Sequence, residues 1–291
     1  MTRKNTIRIF DGATAIVTGG ASGIGRGLAE ELAKRGSEVV LADRQIELAE
    51  EVASKICASG VSACAFKVDV TDFKAVEQLV QETVVRTGRL DYIFNNAGIG
   101  IGGNVSHFGI EDWNQMMDVN LHGVINGVQA AYTIMMAQGF GHIVNTASLA
   151  GLTPSPGGVA YATAKHAVVG LSNSLRAESA WMGVRVSVLC PGFVRTAILE
   201  GGGKYGKMLI DLSPDQHRQM LEMIEKFKPL SPNMFAKKAL NSVAKNKAII
   251  IVPTWWKLLW LLNRFFPSAG IDLLGKSFQK MQKQFGFAEQ N

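Results

Sequence analysis

Short apolar runs rich in β-branched residues alternate with longer segments of helical period along most of this chain. The runs fall at 13–18, 38–42, 63–68, 90–95, 142–146, 184–190 and 248–252. Segments at 23–35, 45–58, 72–87, 111–138, 158–182 and 233–245 repeat their apolar positions at helical spacing. Strands and helices taken in turn predict βαβ units with right-handed crossovers, hence an α/β fold built on a doubly wound, seven-stranded parallel sheet. No linker, repeat or low-complexity tract divides the array, so residues 10–252 read as one domain. The alternation lapses over about 193–232, which holds a glycine run at 201–203 and an amphipathic stretch near 214–227. A loop of that length in a compact domain suggests a lid. Beyond the last strand, residues 253–291 form an extension with candidate helices at 254–266 and 271–285.

Composition narrows the class. With 47% hydrophobic and 19% charged residues among 291, the chain is neither disordered nor fibrous. Cys57, Cys64 and Cys190 are too few and too scattered for a disulfide framework, and five dispersed histidines offer no ligand motif. The expectation is a metal-free cytoplasmic protein. The N-terminal residues lack the apolar core of a signal peptide, and the most apolar window, 248–262, is broken by Pro253 and Lys257 and falls short of the ~20 residues that span a bilayer. Net charge is +6, distributed unevenly: residues 1–203 carry 16 Lys/Arg against 18 Asp/Glu, whereas residues 204–291 carry 14 against 6. The excess therefore accompanies a Trp/Leu/Phe cluster, and with no nucleic-acid motif present it does not point to nucleic acid.

The chemistry is concentrated at the carboxyl ends of the predicted strands, where ligands gather in open α/β sheets. The first strand runs into Thr18-Gly-Gly-Ala-Ser-Gly-Ile-Gly25 and then a helix. Gly19, Gly23 and Gly25 let the backbone turn tightly, so that with Ser22 and Ile24 the helix N-terminus can face a pyrophosphate. Asp43, about twenty residues on, can bind both adenosine ribose hydroxyls and repel a 2′-phosphate, which argues for NAD over NADP. Arg44 beside it can accommodate that phosphate instead. Asp69, with Val70, ends the third strand and could meet the adenine amino group or cap the helix that begins near Asp72. The fourth strand ends in Asn95-Asn96-Ala97-Gly98, where Asn96 can hold a turn and Ala97 and Gly98 leave room for a cofactor. Tyr161 and Lys165, four apart on a predicted helix, share a face, with Ser148 thirteen residues before the tyrosine and Asn120 earlier still. A neighbouring ammonium favours the phenolate of a tyrosine that otherwise titrates near ~10.

With these motifs in hand, the chain resembles the short-chain dehydrogenase/reductase family over about residues 10–252, through TGGASGIG, NNAG, Asn120, Ser148, YATAK and the segment from Pro191-Gly192 to Thr196. The resemblance implies a Rossmann-like fold, a water held by Asn120, substrate oxygen bound by Ser148, general acid/base catalysis by Tyr161, and ribose binding by Lys165. It also implies cofactor contacts from Pro191, Gly192, Val194 and Thr196, and a homodimer or homotetramer. The activity expected is NAD-dependent interconversion of a secondary alcohol and a ketone; an NADPH-linked reductase of lipid-like or steroid-like ketones is the alternative, and a non-catalytic dinucleotide-binding sensor a third reading.

On the substrate side, Ile99, Ile101, Leu149, Thr153, Pro154, Val159, Phe193 and the segment 198–208 are mostly apolar, which suits a small lipophilic alcohol or ketone. The first extension helix is apolar around most of its circumference, with Thr254, Lys257 and Arg264 on a narrow stripe. The second carries Ile271, Leu274, Phe278, Met281 and Phe285 on one face and Lys276, Lys280 and Lys283 elsewhere. Such helices must be covered by a second subunit, by the rest of the chain over the substrate mouth, or by peripheral contact of 254–285 with a membrane.

Overall fold

The structure is a computed structural model that describes residues 6–199 and 205–284. Glycines 201–203 and Phe285 lie outside the described residues. Among those described, the strands are β1 (Thr14–Thr18), β2 (Glu38–Asp43), β3 (Ala63–Lys67), β4 (Tyr92–Asn95), β5 (Gly100–Gly102), β6 (Gly141–Thr146), β7 (Val184–Pro191), β8 (Gly206–Met208) and β9 (Ile249–Val252). Seven of them form one parallel sheet in the order β3-β2-β1-β4-β6-β7-β9. The α/β class and all seven predicted strands are present. The short pair β5 and β8, which the hydrophobic pattern did not predict, is parallel with Ile101 opposite Lys207.

Every residue of β1 is buried, and successive side chains point to opposite faces of the sheet. Ala15 and Val17 enter one core, with helices α1 (Gly23–Lys34), α2 (Ile46–Ala58) and α8 (Pro232–Ala244). Ile16 enters the other, with α3 (Phe73–Thr87), α5 (Gly123–Gln138) and α6 (Val159–Ser179). A sheet covered on both faces explains why its central strands are largely apolar runs instead of alternating ones.

The predicted helix 111–138 is in fact two, α4 (Ile110–Met117) and α5, joined by a widened π-type turn, Asp118–His122. Within the expected lid, α7 (Pro214–Glu225) is opened by a capping box: the Ser213 hydroxyl accepts from Gln216 N–H at 3.3 Å and the Gln216 side chain accepts from Ser213 N–H at 2.8 Å. Its far end is tied to the segment that follows β7 by Arg195, whose guanidinium reaches both Glu225 oxygens at 3.1 and 2.7 Å. The extension forms α9 (Trp256–Phe265) and α10 (Pro267–Gln284).

Candidate active site

Strands leave β1 in opposite directions, toward β2 on one side and β4 on the other, which opens a crevice at their carboxyl ends. Thr18 stitches this crevice together. Its hydroxyl accepts from the N–H groups of Asn96 (2.9 Å) and Ala97 (3.1 Å), while Asn96 Nδ2 donates back to the Thr18 carbonyl at 3.1 Å. The glycine turn lies flat against this seam. Gly19 has φ +65°, and a Cβ there would stand 2.9 Å from Ala97 Cα; a Cβ on Gly25 would overlap the Gly19 carbonyl oxygen. Ser22 caps α1 without a side-chain hydrogen bond to the helix. Asp43, buried at the end of β2, accepts from Ala21 N–H and Gln45 N–H, each at 3.0 Å, and so fixes the turn while its carboxylate lines the groove. Arg44 stands at the rim, largely exposed, 3.8 Å from Asp69. Asp69 is not the helix cap: it closes the preceding turn by accepting from Thr71 N–H and Oγ1, and Asp72 caps α3. A flat glycine turn, an uncommitted helix start and an anchored carboxylate fit the phosphates and ribose of a dinucleotide.

A single cavity of about 860 Å³ runs from Asp43, Arg44, Asp69 and Val70, past Gly19, Ser22, Gly23, Ile24, Asn96, Ala97 and Gly98, to Ser148, Tyr161 and Lys165. Pro191, Gly192, Val194 and Thr196 form its opposite wall, held by Gly192 N–H donating to the Val252 carbonyl (2.9 Å) and by pairing of Val194 with Leu230. Among the residues singled out in the sequence for catalysis or cofactor binding, Gly25 and Asn120 do not line it. Gly25 lies behind the turn. Asn120, in the π-type turn and fully buried, clamps Ile99: its Oδ1 accepts from the Ile99 N–H at 2.8 Å and its Nδ2 donates to the Ile99 carbonyl at 2.9 Å.

The four residues singled out for chemistry nevertheless converge. Lys165 is buried and donates from Nζ to the Thr146 carbonyl at 2.9 Å, with its ammonium 5.6 Å from the centre of the Tyr161 ring. The point where a side chain on Gly98 would begin is 3.0 Å from Asn120 Oδ1 and 3.7 Å from Lys165 Nζ. Ser148, at the end of β6, accepts from Ala150 N–H at 3.1 Å. Burial pushes the Tyr161 phenol up, and the Ser148 hydroxyl bonded to it acts in the opposite sense. Burial also pulls Lys165 down to about 8, and pushes the neighbouring Cys190 thiol up to about 12.

Past Tyr161 the cavity becomes apolar. Ile99, Ile101, Leu149, Thr153, Pro154 and Phe193 line it as expected; of the segment 198–208, whose residues 200–204 lie outside the described part, Ile198, Leu199, Lys207 and Met208 also line the cavity, whereas Tyr205 sits at its other end, its hydroxyl accepting from Gln45 Nε2 at 2.8 Å. Val159 does not: it is exposed on the first turn of α6. Sequence reasoning did not assign Met223, Phe227, Trp256, Leu259, Leu274, Phe278 and Met281 to this cavity. Phe193, Phe227 and Trp256 pack ring against ring with centroids 5.0–5.9 Å apart, and a Cβ on Gly192 would overlap the Trp256 indole. The buried indole N–H of Trp256 has no protein partner among the described residues. The periodicity of α10 was the usable signal, since Leu274, Phe278 and Met281 share the face predicted to be apolar.

The family described as short chain dehydrogenase matches residues 13–204. Oxidoreductase UcpA of Salmonella typhimurium is 36% identical over 220 residues, covering 75% of this chain and 81% of that protein. SadH of Mycobacterium tuberculosis is 33% identical over 275 residues, 94% of each, so that match includes most of the extension. Among solved structures, a short-chain dehydrogenase/reductase from Burkholderia phymatum in complex with NAD superposes with a TM-score of 0.79 at 30% identity, covering 89% of this chain and 95% of that one.

Proposed function

The chain belongs to the short-chain dehydrogenase/reductase family, and from that premise we propose that it is an NAD-dependent oxidoreductase interconverting a lipophilic secondary alcohol and its ketone. The observation that carries this reading is the position of Tyr161, Ser148 and Lys165 where the dinucleotide groove opens into an apolar compartment.

A bound nicotinamide dinucleotide supplies the hydride acceptor in one direction and the donor in the other. The protein's own residues bind, orient and move the proton. The Ser148 hydroxyl hydrogen-bonds the reacting oxygen, and Tyr161 Oη takes the hydroxyl proton during oxidation and returns it to the carbonyl oxygen during reduction. Lys165, held by Thr146, binds the nicotinamide ribose and favours the phenolate of Tyr161. Asn120 holds a water beside Lys165, near the point that Gly98 leaves free. The apolar walls exclude bulk water and select lipophilic substrates, and the Trp256 N–H offers one hydrogen-bond donor within them. Asp43, whose carboxylate is held by Ala21 and Gln45 N–H and lines the groove, binds the adenosine ribose on this reading and makes NAD the preferred cofactor.

Tyr161→Phe should leave NADH affinity unchanged and lower turnover of lipophilic alcohols by about a hundredfold to ten-thousandfold, the usual worth of a positioned general acid/base. Fluorescence titration with NADH and hydride-transfer assays over steroids, long-chain alcohols and aromatic alcohols measure the two quantities. Turnover close to wild type in that variant would remove Tyr161 from the mechanism, and tight NADH binding without turnover of any substrate would mark a sensor.

A further inference from the structure

Helix α9 has two unlike faces. Trp256, Leu259 and Trp260 turn inward against the sheet and the cavity. On the other side, Leu258 is 76% exposed and Phe265 69%, with Leu261 and Leu262 beside them and Phe266 (63%) and Trp255 (52%) at the two ends. Six large apolar side chains at one corner of the molecule form a contiguous patch of the kind that monomers rarely leave uncovered.

Charge identifies what covers it. Lys257 and Arg264 flank the apolar face along one edge of α9, and Lys276, Lys280 and Lys283 lie on α10, on the side away from the cavity. Over residues 253–284 five basic residues face one acidic residue, Asp272. A second copy of the chain related by a two-fold axis would bring two such basic rims into one interface. An anionic surface would be attracted by it and would accept the leucines and phenylalanines below. Tryptophan at the margin is typical of helices that lie in a bilayer interface, and no helix among the described residues is long and apolar enough to cross one.

We propose that the outer face of α9, with the lysines of α10, docks on an anionic lipid bilayer. The inner face of the same helix pair closes the cavity, through Leu259 of α9 and Leu274, Phe278 and Met281 of α10. Docking therefore sets the helices that wall the apolar end of the cavity against the membrane. On the reading given under Proposed function, the substrates are alcohols and ketones dissolved in the bilayer, which reach Tyr161 without passing through water.

Co-sedimentation of the full chain, loaded with NADH, with vesicles of phosphatidylcholine alone and of phosphatidylcholine mixed with phosphatidylserine tests the docking. The protein should pellet with the anionic vesicles at low ionic strength and much less at high ionic strength. Leu258→Glu and Phe265→Glu should each weaken that binding about tenfold or more, because each removes a large apolar side chain from the lipid. Lys257→Ala with Arg264→Ala should cost about thirtyfold on anionic vesicles. NADH affinity should not change in any variant, which separates lost docking from lost folding. Absence of wild-type binding to anionic vesicles at low ionic strength would overturn the proposal. So would a stable oligomer that Leu258→Glu dissociates, which would make the face a subunit interface. Turnover is not read in this experiment, so failure of the catalytic reading and failure of the docking are told apart.

Discussion

Burial sets the ionisation of several single residues, and His142 is the plainest case. It lies wholly inside the sheet on β6, with Nε2 2.8 Å from the Ser187 hydroxyl and its ring against Tyr92. Desolvation, with Arg185 and Arg176 adding to it, pulls its pKa from the usual 6.5 to about 3. The folded protein thus keeps His142 neutral at pH values where the unfolded chain has protonated it. Between about 6.5 and about 3 the unfolded state holds the extra proton, so stability from this residue is complete above 6.5 and falls with pH, by up to about 1.4 kcal/mol per unit. Urea unfolding at pH 7 and pH 5 should show His142→Gln losing about 1–2 kcal/mol less than wild type over that interval; equal losses would mean that His142 does not titrate on unfolding. On the function proposed above, cofactor choice turns on Asp43. Replacing it with Ser removes the charge that opposes a 2′-phosphate and leaves Arg44 at the rim, 3.8 Å from Asp69 in the wild type. Asp43→Ser should therefore move the ratio of NADP to NAD efficiency upward by about tenfold or more. Steady-state kinetics with both cofactors measures this, and a wild type that already prefers NADPH would contradict the role given to Asp43.

At the scale of the element, α10 is the part whose function depends most on its position. Its apolar face covers the cavity, Phe278 approaches Gly157, and near its far end Gln282 donates to Asn104 Oδ1 at 2.9 Å. This helix is a wall of the cavity, and trimming the wall should affect the substrate and spare the cofactor. Phe278→Ala should raise KM for a bulky lipophilic alcohol about tenfold or more, since burying a phenyl group is worth about 1.5–3 kcal/mol, with NADH affinity unchanged. A variant with wild-type KM would place the substrate elsewhere. The π-type turn that divides α4 from α5 is a second positional device, because it brings Asn120 against Ile99 and beside Lys165.

For the whole molecule, the net charge of +6 is the sum of a slightly acidic sheet region and a basic, tryptophan-rich end. The sheet region was legible because its signals are local. Apolar runs such as 13–18 become strands buried on both faces, the glycines from 19 to 25 make a turn that other residues would obstruct, and Tyr161 and Lys165 share a helix face by spacing alone. Asp69 and Val159 were less legible, since whether a carboxylate caps a helix or a turn, and whether an end-of-helix valine faces a cavity, depends on neighbours distant in sequence. The break in the helix at Asp118–His122 leaves the apolar period nearly intact and so leaves no clear trace in it. The amino-acid sequence by itself determined the seven strands and the glycine turn and put forward the four residues proposed for chemistry, because backbone periodicity and side-chain chemistry are written residue by residue. Only the tertiary structure decided what the extension meets, placing Trp256 on Gly192 and Phe278 beside Gly157 while turning Leu258 and Phe265 outward. An apolar helix records that it must be covered, but which face meets which neighbour is set by packing between segments a hundred residues apart.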